Sequence, residues 1–178
     1  MGYFITGNTI NIQTDKPLIH KALNNQLYMD DDGTIYLCPK KQEYDGYTIP
    51  KWLAWLGGSN FEWDLRCARE HDLNCKYHQE IVVNLSLAKL KALNLLRTIN
   101  NKNYCLNIPK EYLLVRDVSF NSANDKFKRM MLSATNIQPW RLKIMRLAVN
   151  LNIHWFISWD EKYIDLDKIY YEAVWLVS

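Results

Sequence analysis

At 178 residues, 48% of them hydrophobic and 23% charged, the chain is long enough to bury one core and short for two, so a single domain over 1–178 is expected. A net charge of +3 is too small to mark a nucleic-acid binder by its total, and nucleic acid is not an expected partner. Four cysteines without a C-x-x-C pair, a first stretch MGYFITGNTINIQ without the regions of a secretory signal, and no apolar run near the roughly 20 residues that cross a bilayer lead to the expectation of a soluble protein with reduced thiols, not secreted by a signal peptide.

In chain order, the first 50 residues read as β structure. TINIQ alternates, and LYMDDDGTIYLCP reads as two strands around a DDDG turn, because Asp-Gly tolerates the backbone conformations that a hairpin turn requires. Asp30, Asp31 and Asp32 are expected at an acidic loop tip rather than in a calcium loop, since no Glu follows at the calcium-loop spacing. After Pro50 the segment WLAWLGGSN ends in Gly57 and Gly58, and Ser59 or Asn60 is placed to cap a helix over 62–79. A second helix is expected over 85–99, with Leu85, Ala88, Leu93 and Leu96 as its apolar stripe and Lys89, Lys91 and Arg97 toward water. NNKNYCLNIP then reads as loop. Helical patterns follow over 123–133 and 140–151, joined at NIQP, where Pro139 suits a first helical turn. The tail over 154–178 carries WFISW and YYEAVWLV as strand or buried-segment candidates. The expected fold class is therefore α+β: an N-terminal antiparallel β-hairpin region packed on a small bundle of about four helices, closed by an aromatic C-terminal segment.

Two stretches concentrate the chemistry: DGYTIP over 45–50 and REHD over 69–72. At about 100° per residue, Asp64, Cys67, His71, Cys75 and His78 fall on one stripe of the first helix, within an arc of about 80°. Asp72 points about 100° away, an offset that still lets His71 and Asp72 reach one metal or water at the helix edge. Cys67 and Cys75 are expected as small packing residues, with a zinc site of Cys67, His71 and Cys75 as the weaker alternative. Lys126, Lys128, Arg129, Arg141, Lys143 and Arg146 are expected as solvated positions opposite Phe127, Met130, Met131, Leu142, Met145 and Val149.

The order LYMDDDGTIYLCP, DGYTIP, AREHD, SANDKF and PWRLKIMRLAVN resembles a family of phage and prophage proteins known as a domain of unknown function. Its pattern is a β hairpin, an acid-Gly-x-[Ser/Thr]-Ile-Pro turn, an Ala-x-x-His-Asp helix, and a later Ala-Asp helix before one rich in Met and Arg. The resemblance covers about residues 27–156. Asn124 and Asp125 compete for the later acid, and the segment over 80–120 is longer than in the pattern. The resemblance implies phage or prophage origin, a place in the host cytoplasm or virion, and a shared pocket, with other virion proteins or a host factor as partners. It supplies no reaction.

Two readings of the pocket follow from the residues. As a hydrolase, His71 acts as general base or metal ligand, Asp72 and Asp45 supply oxygens so that Asp45, His71 and Asp72 hold a divalent cation (calcium or zinc), and Asp125 orients the imidazole or completes the shell. Such a site would polarise an ester, phosphoester or amide bond. The adjacent His and Asp on a helix look similar to those of phospholipases of the A2 type, without their glycine-rich calcium loop and paired cystines. They are less similar to the His-Asp phosphohydrolases, since the only earlier histidine, His20, precedes the hairpin. In the alternative, the protein is a non-catalytic virion component or host-interaction module in which the same residues are architectural: Asp45 accepts hydrogen bonds in its own turn and His71 locks hairpin to helix.

Overall fold

Turn chemistry sets the first strands. The computed structural model describes residues 2–7, 10–13, 20–44, 65–133, 140, 143 and 163–168. In it the DDDG segment closes as expected: Asp30 N–H donates to Thr34 O, Gly33 N–H to Asp30 O and Thr34 N–H to Asp32 Oδ1, with Gly33 at φ 84°. A residue with a Cβ is strained at that φ, which is why the turn carries glycine there. The turn joins β4 (Gln26–Met29) to β5 (Ile35–Cys38), registered Tyr28 against Tyr36. With β1 (Tyr3–Phe4), β7 (Gln79–Val83) and β10 (Leu113–Asp117) they form an antiparallel five-stranded sheet in the order β1-β4-β5-β7-β10. A second sheet of β2 (Asn11–Gln13), β3 (His20–Ala22) and β6 (Glu43–Tyr44) runs in the order β2-β3-β6.

Two-residue alternation divides the large sheet into two faces. Leu27, Ile35, Leu37, Ile81 and Val83 belong to one cluster, together with Leu90, Leu96, Cys105 and Ile108 from the connection between β7 and β10. Tyr28 and Tyr36 face the other way, with Val82, onto α1 (Leu65–Tyr77) and α3 (Phe120–Ser133), which bring Cys67, Ala68, Phe127, Met130 and Met131. Helices thus cover one face, and a smaller helix and hairpin cover the other.

This architecture corrects the expected one. The hairpin is not an N-terminal region set against a bundle of about four helices, because β7 and β10, from stretches to which the sequence pattern assigned no element beyond Gln79, complete its sheet. The helix expected over 85–99 stops early, at α2 (Leu87–Ala92), capped at its start by Ser86 Oγ accepting from Lys89 N–H. Asn94, at φ 55°, turns the chain left-handed; its N–H returns to Lys91 O and that of Leu95 to Leu90 O, which satisfies the last carbonyls and ends the helix. Leu90, not the predicted stripe, anchors α2: it is fully buried, while Leu93 is exposed. The segment read as loop contains β9 (Lys102–Cys105), paired with β8 (Leu96–Ile99) through Asn100 and Asn101, both at positive φ as a two-residue hairpin turn demands. Of the helix expected over 140–151, only Trp140 and Lys143 are described; of the aromatic tail, only 163–168.

Three buried ionic side chains tie the helices to the sheet. Lys126 Nζ on α3 lies 2.9 Å from Glu70 Oε1 on α1 and 2.7 Å from Glu80 Oε2 on β7, with all three side chains at most 6% exposed. Its charge also sits 4.1 Å from the Tyr36 ring centre. Asn74 Nδ2 donates to Glu70, while Arg116 on β10 donates through Nε to Glu80 and through Nη2 to the Tyr36 hydroxyl. Two carboxylates and two cations therefore neutralise each other across four elements, with Tyr36 of a fifth between them. A separate clamp joins the hairpin turn to α3: Arg129 Nε and Nη2 both donate to the buried Asp30 carboxylate. Asp30 is thus not a solvated tip residue like Asp31 and Asp32.

Deleting one member of the buried bridge leaves uncompensated charge. Lys126→Ala is expected to cost about 3–5 kcal/mol in urea unfolding, against less than about 1 kcal/mol for Lys128→Ala, whose exposed partner is Asp125. Burial by itself raises the Asp30 pKa, but the Arg129 hydrogen bonds, the Asp31 N–H and the Arg129 charge outweigh it and hold the carboxyl below its ordinary value of 3.8. A depressed folded-state value means that the stabilisation is complete above 3.8 and is lost as pH falls through the lower folded value. Unfolding free energy measured downward from about pH 4 should therefore fall less steeply in Asp30→Asn than in wild type; equal slopes would contradict the clamp.

Candidate functional site

Helical geometry decides which residues of α1 and α3 meet. On α3 the buried residues are Ala123, Asn124, Lys126, Phe127, Met130 and Met131, an arc of about 160° at 3.6 residues per turn. Asp125 falls near the middle of the opposite side. Its carboxylate is 61% exposed and pairs with Lys128 Nζ at 3.1 Å. Asn124 takes the inward position, and its Oδ1 lies 2.9 Å from His71 Nε2 on α1.

An amide oxygen can only accept, so His71 Nε2 carries the proton and donates to it. The ring rests on Phe127, with centroids 4.7 Å apart at 41°. Cys75, one turn further along α1, brings its Sγ to 3.5 Å from Nε2 and 3.8 Å from Nδ1. Near-equal distances to both nitrogens describe a side-on contact rather than a thiol aimed along one lone pair. Asp72 Oδ1 stands 4.0 Å from Nδ1, with the histidine and aspartate side chains 10% and 23% exposed.

The expected set of four therefore divides. His71 and Asp72 are neighbours at the helix edge. Asp125 is directed away from the imidazole, and Asn124 replaces it as the group that orients the ring. Asp45, with the whole DGYTIP turn, lies outside the described residues. Cys67 belongs to the apolar cluster with Phe127 and Met130. Among the described residues, no group of three or more His, Cys, Asp and Glu side chains is placed to hold a metal ion. His71 Nε2, spent as a donor, is not a metal ligand in this arrangement. His78 has a backbone role: at φ 53° it ends α1, its N–H bonded to Asn74 O and its carbonyl accepting from Val118. His20 lies beside the Tyr44 ring on the smaller sheet.

The basic face considered on the later helices is also divided. Lys126 is buried in its bridge, Arg129 is bound to Asp30 and Lys128 to Asp125. All four cysteines are buried, and burial pushes the Cys105 thiol up to about 12. No helix among the described residues is long and apolar enough to cross a membrane.

A helical wheel centred on Phe127, Met130 and Met131 would have placed Asn124 inward and Asp125 outward, so this part of the site had a signal in the sequence. Glu70, Glu80 and Lys126 had none, because charged residues ordinarily face water. No protein-family model, curated protein or solved structure matches the chain.

If Asn124 holds the imidazole, the two residues should be energetically coupled. His71→Ala and Asn124→Ala are each expected to cost about 1–3 kcal/mol, with a coupling of at least about 0.5 kcal/mol in the double-mutant cycle, while Asp125→Ala stays within about 0.5 kcal/mol. Strict additivity would contradict the contact.

Proposed function

We propose that the chain is a non-catalytic interaction module of phage or prophage type, a virion component or a protein that meets a host factor in the host cytoplasm. One observation carries this reading: the imidazole Nε2 donates to a buried amide, with Phe127 and Cys75 packed against the ring. A general base needs a lone pair that a substrate or water can reach. The carboxylate expected to assist it, Asp125, is engaged at the surface with Lys128. The origin is supported by the order of DGYTIP and AREHD alone.

A hydrolase remains the second reading, favoured by the 4.0 Å approach of Asp72 to Nδ1 at an edge that is partly open. In that case Nδ1 is the working nitrogen, and the third oxygen is to be sought on Asp45 rather than Asp125.

The purified full chain is expected to contain no stoichiometric calcium or zinc by elemental analysis, and to leave phospholipid, peptidoglycan and phosphodiester substrates intact. His71→Gln should then lower the unfolding midpoint and change nothing else. Turnover by the wild type that disappears in His71→Gln with an unchanged midpoint would replace the module with the hydrolase.

A further inference from the structure

On the side of α1 away from the imidazole, a cleft of about 710 Å³ opens between α1, the segment after β5 and the short segment 163–168. Lys21, Lys40, Lys41, Lys76 and Lys168 line it, opposed by Glu43 and Asp165. The excess of three positive charges equals the net charge of the whole chain. Among the described residues, none of Lys21, Lys40, Lys76 and Lys168 is in an ion pair. Part of the opposing charge is occupied, because Asp165 Oδ1 accepts the N–H groups of Asp167 and Lys168.

The lining is built rather than incidental. Lys40 N–H donates to Asn25 Oδ1, and Lys41 N–H to Ala22 O. Lys41 holds φ at 67°, a left-handed position where glycine or asparagine would be unstrained, so the surroundings maintain the conformation against its cost. Arg69 lies wholly buried, donating through Nη2 to the carbonyls of Cys38 and Pro39, and Pro39 itself lines the cleft. Its Nε and Nη1 have no hydrogen-bond partner among the described residues, and no carboxylate there pairs with it. A further positive charge therefore lies behind the cleft wall.

Two aromatic rings complete the lining. Tyr163 is 78% exposed, although its neighbour Ile164 is buried and anchored by a hydrogen bond from its N–H to Gln79 Oε1. Tyr77 contributes a second ring, with Lys76 Nζ 5.3 Å from its centre. Clustered ammonium groups attract phosphate, and open aromatic faces attract a base; the two together are the means by which proteins hold nucleotides and single strands. The volume is in the range of small-ligand sites, about 300–1,000 Å³.

We propose that this cleft binds a nucleotide, either free or as a unit of a single strand, with phosphates on Lys21, Lys40 and Lys168 and the base stacked on Tyr163. The inference goes beyond the module reading and does not rest on the role of His71. Phosphate is held by charge and the base by stacking, so the two contributions respond to different substitutions.

Fluorescence polarisation of the full chain with fluorescein-labelled dT12, competed by ATP, unlabelled dT12 or inorganic tripolyphosphate, tests it. Binding is expected to weaken with salt by about 0.7 log units per phosphate contact for each log unit of salt. Lys40→Glu with Lys168→Glu should weaken it at least tenfold, whereas Lys89→Glu with Lys91→Glu on α2, equal in charge change and remote from the cleft, should change it less than twofold. Lys168→Glu alone, at an exposed helical position, serves if the pair lowers the melting temperature. Tyr163→Ala should weaken dT12 or ATP by about five- to a hundredfold and leave tripolyphosphate unchanged. Competition by unlabelled dT12 and not by ATP identifies the strand, and competition by both identifies the single nucleotide as the bound unit; either supports the site. No binding at low salt, equal losses in the cleft and α2 variants, or tripolyphosphate competing as well as both nucleotides with Tyr163→Ala neutral would each overturn it. Absence of binding here would leave the assignment of His71 untouched, since that is read from metal content, turnover and stability.

Discussion

One buried ammonium group sets the relation between both large helices and the sheet. Lys126 has exchanged water for two carboxylates, from Glu70 and Glu80, and for the face of Tyr36. Desolvating an isolated charge is costly enough that such a group stays buried only when its partners are already in place. The arrangement therefore makes α1, α3, β5 and β7 mutually dependent. An apolar interface of the same size could slide or rotate by a fraction of a turn with little loss; a bridge with defined donors and acceptors does not. Arg116 extends the network to β10 and balances its charge, leaving the wetter end at the sheet rather than between the helices.

The bridge also fixes what the imidazole meets. With Lys126 directed inward, the residue before it is carried to the far side of α3, and the residue two before it comes round to α1. Asn124 rather than Asp125 thus faces His71, and a neutral amide replaces a carboxylate at the decisive contact. A carboxylate there would stabilise an imidazolium and support proton transfer; an amide oxygen fixes one nitrogen as donor and contributes no charge. In the folded molecule the His71 ring is part of a packed joint between α1 and α3.

Pairing has a further electrostatic consequence. Lys126 and Arg129 are matched by acids on neighbouring elements and Lys128 by Asp125 within α3, so α3 presents less positive potential than its composition suggests. Lys21, Lys40, Lys76 and Lys168, in no ion pair among the described residues, come together instead where the segment after β5, the end of α1 and residues 163–168 meet. A modest total charge is compatible with a concentrated local one, since the first is a sum over the chain and the second depends on which residues the fold makes neighbours.

The sequence by itself determined the features whose causes act within a few residues. The DDDG turn and its two strands, the body of α1, and α3 with its Phe127, Met130 and Met131 face were all legible. The left-handed asparagines at 94, 100 and 101 were a local signal too, and they end α2 and turn the β8 to β9 hairpin where continuous helix and loop were expected. The wheel position of Asn124 belongs with them. Only the tertiary structure decided that β7 and β10 would complete the sheet begun by β4 and β5, that Lys126 would be buried between Glu70 and Glu80, 56 and 46 residues away, and that lysines from four separate segments would line one cleft. The physical reason is that backbone preference and turn chemistry are properties of adjacent residues. Whether a charge is buried or solvated depends on partners that come within range only when distant parts of the chain have packed.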